Sequence, residues 1–179
     1  MSCAIARPAQ LEDAPAIASI GRAAVPRTYE GVVTPTVVAT VVDQLYTDEA
    51  VAASLAALAE EPNSRFLVAE VDREVVGFLH YDELGPEPEL HRIYLRPDAI
   101  GSGVGTVLME ALHASLLPGA GYILLVVADN ARAIAFYRRH GLVVRETIDA
   151  MPYYRAHMSV AIPSDAPPVS AHLMERHAP

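Results

Sequence analysis

The chain has 179 residues, 52% of them hydrophobic and 20% charged, with one Cys and no Trp. That is the length of one ordinary domain and too apolar for a disordered chain, and a single Cys excludes a disulfide scaffold or a Cys-rich zinc module. The net charge of −9 argues against sequence-independent nucleic-acid binding, and all 13 basic residues are Arg, which excludes Schiff-base lysine chemistry and a Walker lysine.

No apolar run is long enough to span a bilayer, and the N-terminal residues show no basic-then-apolar leader. The expectation is a soluble, cytoplasmic protein in a reducing compartment. Charge is unevenly spread. Residues 1–91 hold 15 acidic and 5 basic groups, whereas residues 92–179 hold 7 acidic and 8 basic groups. One reading is a solvated surface. The other is a second half that meets an anion and a first half that meets a cation.

Ala4 to Arg7 reads as a short strand ended by Pro8. Asp13 is placed to cap a helix through Ala24, with Ile17, Ile20 and Ala24 on one stripe. Thr34-Pro35 predicts an N-cap followed by Pro at the first helical position, with a helix to about Gln44. Thr47-Asp48-Glu49 opens another helix, with Val51, Leu55 and Leu58 at helical spacing, stopped before Pro62.

The period then changes. Arg65 to Val71 and Val75 to Tyr81 predict a hairpin turned by Asp72-Arg73-Glu74. Asp82 to Pro88 is an acidic, Pro-containing loop, and Glu89 to Leu95 is a third strand. A Gly-rich turn leads into a helix from Gly103 to Leu117, with Val104, Val107, Leu108, Ala111, Leu112 and Leu116 as its buried stripe. Tyr122 to Ala128 is the near-continuous apolar run of a buried strand. Asn130 to His140 is a helix stopped by Gly141. Strands at Leu142 to Ile148 and Tyr153 to Ile162 close a domain of residues 1–162, and 163–179, rich in Pro at its start, reads as a flexible tail. The order predicts a mixed α/β sheet.

Two stretches carry chemistry. In Ile100-Gly101-Ser102-Gly103-Val104-Gly105-Thr106, three glycines alternate between a strand and a helix. Gly permits positive φ, and successive N–H groups at a helix N-terminus form a nest for phosphate oxygens. The alternative is a tight strand-to-helix turn. The spacing is not Gly-x-Gly-x-x-Gly, which fits dinucleotide folds poorly. One strand–helix unit later comes Asn130-Ala131-Arg132-Ala133-Ile134-Ala135-Phe136-Tyr137-Arg138-Arg139-His140-Gly141-Leu142.

Together these resemble the GCN5-related N-acetyltransferase (GNAT) superfamily over most of residues 4–162. The first matches its Arg/Gln-x-x-Gly-x-Gly/Ala signature at Ile100, Gly103 and Gly105. The second matches Asn-x-x-Ala-x-x-Phe-Tyr-x-x-x-Gly-Phe at Asn130, Ala133, Phe136, Tyr137, Gly141 and Leu142. Ile100 departs from Arg or Gln, at a position that chiefly offers its backbone N–H. Leu142 replaces Phe, a size-compatible apolar swap.

The resemblance implies an α+β fold with a mostly antiparallel mixed sheet, helices on both faces and a splayed acetyl-CoA cleft. It implies acetyl transfer from acetyl-CoA (coenzyme A) to a primary amine by direct attack in a ternary complex. Ile93, Tyr94 and Leu95 would line the pantetheine, with the Leu95 N–H polarising the thioester. Ile100, Gly101, Ser102, Gly103, Val104, Gly105 and Thr106 would cradle the pyrophosphate. Asn130 and Ala133 would meet the cofactor, and Arg139 or Arg132 would reach phosphate unless they are simply solvated. Tyr137 would be the general acid, since a phenol with a pKa near 10 stays protonated at neutral pH.

Glu89 is the candidate base, acting directly or through water; His91, on the same strand face, is the alternative. Tyr29 and Tyr81 are candidates for the acceptor pocket. Asp82, Glu83, Glu87 and Glu89 would favour a small cationic amine as acceptor, unless the loop is merely solubilising. The seven His show no metal-ligand spacing, and no base can be assigned to Cys3. Neither a membrane nor a nucleic-acid partner is expected; dimerisation is common in the family. Other readings are an acyl-CoA-binding sensor without turnover, an enzyme acetylating protein N-termini or lysines, and a nucleotide-binding protein.

Overall fold

A computed structural model of the chain describes residues 4–157, 160–164 and 166–177. Cys3 lies outside them. A seven-stranded sheet has the order β1-β2-β3-β4-β5-β7-β6. Its strands are β1 (Ile5–Pro8), β2 (Ser64–Val71), β3 (Glu74–Asp82), β4 (Glu89–Leu95), β5 (Tyr122–Val127), β6 (Leu142–Asp149) and β7 (Ser170–Arg176). Every neighbouring pair is antiparallel except β4 and β5. The helices are α1 (Ala14–Tyr29), α2 (Pro35–Leu45), α3 (Asp48–Ala59), α4 (Val104–Ser115), α5 (Ala131–Arg139) and α6 (Ala150–His157).

The sheet separates two main cores. On one face, α4 packs Leu108, Met109 and Leu112 against Leu79, Leu90 and Leu124, and Ile134 of α5 joins them. On the other, α1 and α3 pack Ile17, Val25, Val51 and Leu55 over Val68 and Phe78. A third cluster joins Met151 of α6 to Val127 and Ala171, with Tyr29 packed against it.

Most predicted elements form where expected. The Thr34 hydroxyl accepts from Val37 N, and the Thr47 hydroxyl from Ala50 N, so both are side-chain N-caps. Asp13 differs. It precedes α1, but its carboxylate turns back to accept from Gln10 N and from Arg7, leaving the helix uncapped by it. Burial and these bonds oppose each other there, and the bonds prevail, holding the Asp13 carboxyl below its ordinary range. α1 also runs five residues past the predicted end, carrying Pro26 inside it. Packing outweighs the lost backbone bond, because Val25 is buried and Tyr29 reaches two of the clusters.

The C-terminal region corrects the sequence reading most. Tyr153 does not begin a strand; it lies on α6, which starts where Asp149 accepts from Met151 N. Part of the predicted Tyr153–Ile162 strand, residues 158–159, lies outside the described residues. Nor is 163–179 a free tail. Ser170–Arg176 forms β7, inserted between β5 and β6 and hydrogen-bonded to both. Ala171 and Met174 are fully buried. Residues 165 and 178–179 of that segment are outside the described set.

Candidate active site

β4 and β5 run parallel but share a single paired position, Glu89 with Ile123, supported by Ile123 N donating to Pro88 O at 2.9 Å. Beyond it the strands part, and a gap opens toward their C-terminal ends. The amides of β4 can be oriented from one bond. Arg96 N donates to Val76 O of β3 at 2.7 Å. Strand amides alternate sides, so the N–H groups of Leu95 and Ile93 point away from β3, into the gap. Their side chains pack on the α4 core, whereas the Tyr94 ring lies on the opposite face against Phe78 and Tyr46.

At the far end of β4 stands the glycine turn. Gly101 and Gly103 adopt φ of 85° and 93°, a left-handed conformation that a side chain would strain. The Ser102 hydroxyl donates to Ala99 O at 2.7 Å and fixes the turn. Ile100 is exposed, and its backbone is extended. Val104 and Gly105, in the first turn of α4, have no earlier helical carbonyl to bond, and Thr106 N donates to Gly103 O. Gly105 has a second role: a Cβ there would stand 3.2 Å from the Phe136 ring. The two sequence motifs therefore pack on each other.

α5 begins where Asn130 Oδ1 accepts from Ala133 N at 3.1 Å. Ala133 and Tyr137 pack against the α4 core, and Arg132 and Arg139 are exposed. Burial pushes the Tyr137 phenol above its ordinary value, reinforced by Tyr29 and Tyr122 nearby. Tyr29, at the end of α1, is the common neighbour of Tyr94 and Tyr154, whose phenols are raised first by burial and then by Tyr29. Arg92 lies over the Tyr46 ring at 5.8 Å.

Below the gap, β3, β4 and α6 converge around Glu89. A register shift in the β3–β4 ladder pairs His80 with Arg92 but Tyr81 with Leu90, leaving His91 as an extra residue on β4. His91 Nε2 stands 2.9 Å from Asp82 Oδ2, and His91 Nδ1 stands 3.5 Å from Glu89 Oε1. The Tyr153 hydroxyl of α6 donates to Glu89 Oε2. Burial opposes charge on His91, but its contact with Glu89 and the Asp82 charge outweigh it and raise its pKa above the ordinary value.

Tyr81 requires a correction. It is 1% exposed, its hydroxyl donates to Glu83 at 2.9 Å, and its ring packs edge-on to Tyr122. It is a core residue of the α4 face, because one residue of alternation separates it from His80 and Asp82. The acidic loop is also less free than its composition suggests. Glu87 accepts two bonds from the Arg145 guanidinium, at 2.9 and 3.1 Å. Sequence reasoning missed Tyr153 and Tyr154, which the strand assignment removed from consideration.

His80 is buried, stacked on Phe66 at 5.3 Å, and neither ring nitrogen makes a hydrogen bond. Burial, then Arg92 and His91, keep its pKa well below the ordinary 6.5. The unfolded imidazole therefore binds a proton that the folded one refuses. The stability from this site is complete above pH 6.5 and is lost as pH falls. His80→Phe is expected to flatten that acid loss, measured as urea midpoints at pH 5 and pH 7.5; an unchanged difference between them would refute it.

The acetyltransferase (GNAT) family model matches residues 35–142. The chain belongs to the GNAT acetyltransferase family. Mycothiol acetyltransferase of Streptomyces coelicolor is 39% identical over 89 residues, which cover 46% of this chain and 28% of that protein. This GNAT chain thus spans under a third of such relatives. Spermidine N(1)-acetyltransferase of Thermoplasma acidophilum is 24% identical over 145 residues, 79% of this chain and 89% of that protein. Among solved structures, the PaiA N-acetyltransferase of Thermoplasma acidophilum in complex with coenzyme A superposes with a TM-score of 0.75 at 20% identity, covering 98% of this chain and 99% of that one. That likeness is one of fold, and the mixed sheet is the GNAT sheet. Among the described residues, no helix is long and apolar enough to cross a membrane.

Proposed function

We propose that this GNAT chain moves an acetyl group from acetyl-CoA to a small cationic primary amine by direct attack in a ternary complex. One observation carries the reading: the β4–β5 gap has a phosphate-type N–H nest at one end and a buried, hydrogen-bonded carboxylate at the other. When bound, acetyl-CoA supplies a thioester carbon open to attack and a thiolate that leaves.

The residues divide the work. The turn from Ile100 to Thr106 holds pyrophosphate through backbone N–H groups, so a side chain at Ile100 is dispensable for that contact. Asn130 and Ala133 line the entrance of α5, and Arg139 or Arg132 offers charge to phosphate. The Leu95 N–H, pointing into the gap, polarises the thioester carbonyl, with Ile93 and Tyr94 beside it. Glu89 takes the ammonium proton, and Tyr137 protonates the departing thiolate. Tyr29, with Tyr94 and Tyr154, walls the acceptor. Glu89 and Asp82 give that pocket negative charge, which suits a cation; the relative named for spermidine supports the same acceptor class.

Acetyl-CoA at 100-fold its Kd is expected to stabilise the fold by about 2.7 kcal/mol, a rise of roughly 5–10 °C in Tm, with no rise for ATP. A panel of polyamines, amino sugars and peptide N-termini, followed by thiol release, then identifies the acceptor. No shift with acetyl-CoA would overturn the reading, and turnover confined to peptide N-termini would overturn the small-amine assignment.

A further inference from the structure

Asp82, His91 and Glu89 form a continuous line of proton-accepting groups. Alternation along β4 puts His91 on the face that holds Glu89, and the bulge leaves it as the residue without a register partner on β3. A carboxylate only accepts, so the 2.9 Å contact to Asp82 holds a proton on Nε2, and Nδ1, 3.5 Å from Glu89 Oε1, is the nitrogen placed to exchange a proton with Glu89. Exposure peaks at the middle of the line. The side chains of Glu89 and Asp82 are 11% exposed, that of His91 28%. His91 is thus the member nearest water, and the carboxylate beside the gap is not.

The neighbouring groups are less suited to carry the proton. Tyr153 of α6 donates to the second oxygen of Glu89 and takes no proton from it. His80 of β3 has Nε2 3.5 Å from the same Asp82 oxygen, but its ring is buried between Phe66 and His91 and stays neutral. Arg92, next along β4, is a cation and opposes charge on His91.

We propose that His91 is the proton exit of the active site, taking the amine's proton from Glu89 and delivering it to water while Asp82 orients the ring. This rests on the function proposed above. The steps balance. The ammonium N–H bond breaks as Glu89 O–H forms. The Glu89 O–H bond then breaks as His91 Nδ1–H forms, giving an imidazolium held by Asp82. Bulk water or buffer takes one proton from it, and the ring returns to its Nε2–H form by exchange. Nothing is oxidised or reduced. His91 acts through Glu89 and not on the substrate.

The test uses the full chain, acetyl-CoA and the best amine of the panel. His91→Ala is expected to lose at least about tenfold in kcat at neutral pH, with KM for acetyl-CoA unchanged, and added imidazole is expected to restore turnover in proportion to its concentration. The loss is smaller than the roughly 10²–10⁴-fold effect of a direct acid or base, because truncating His91 opens a path for water to Glu89. His91→Gln, which keeps a polar side chain, should retain the acetyl-CoA thermal shift and yet turn over slowly. A His91→Ala rate equal to wild type, or a loss that imidazole does not relieve, overturns the exit role while leaving the acetyltransferase reading intact. Wild type inactive on every amine overturns both. A readout without substrate is the His91 ring titration by NMR. Its pKa should fall in Asp82→Asn, and an unchanged value would overturn the orienting contact.

Discussion

Tyr137→Phe is expected to lower kcat by about 10²- to 10⁴-fold while leaving acetyl-CoA affinity unchanged. The variant removes one oxygen and keeps the ring, so its packing beside Phe136, with centroids 5.4 Å apart, survives. The phenol's raised pKa keeps it protonated through the neutral range, ready to donate to a thiolate and slow to ionise. Affinity from the acetyl-CoA thermal shift and rate from thiol release separate binding from chemistry. Undiminished turnover would remove Tyr137 as the acid; lost affinity with preserved kcat would make it a binding residue.

Glu89→Gln should have an effect of similar size, about 10²- to 10⁴-fold on kcat/KM for the amine. The amide oxygen still accepts from Tyr153, so α6 keeps its anchor. What disappears is the capacity to take a proton. The rate of the variant should therefore rise with pH toward that of wild type, as an increasing share of the amine arrives already neutral. A loss that is flat with pH would assign Glu89 to binding the ammonium and not to deprotonating it.

Much of this arrangement was legible in the chain. The alternating glycines, the Asn130 cap and the β2–β3 hairpin each rest on local rules, and local rules sufficed. Glu89 and His91 were visible as residues on one strand face. Their contact with Asp82 was not, because it depends on how β4 pairs with β3, which no single strand reveals. Tyr153-Tyr154 reads as strand by propensity, yet it forms α6, where Met151 and Ala150 are buried against β7. Conversely, Ser170–Arg176 contains Ala, Leu, Met, Glu and Arg, all good helix formers. Two exposed sheet edges, β5 and β6, pull that segment into strand form. Tertiary pairing outweighed intrinsic preference in both places. The burial of Tyr81 has a simpler root: alternation along β3 puts it on the face opposite His80, in the α4 core.

The single rung between β4 and β5 divides the sheet into two panels, β1-β2-β3-β4 and β5-β7-β6, hinged at Glu89 and Ile123. Any widening of the gap is a rotation about that rung. Displacement then grows toward the glycine turn and is smallest at the pivot. The carboxylate assigned to proton removal sits on the axis itself, so the panels can breathe around a long cofactor arm while the acceptor end keeps its alignment.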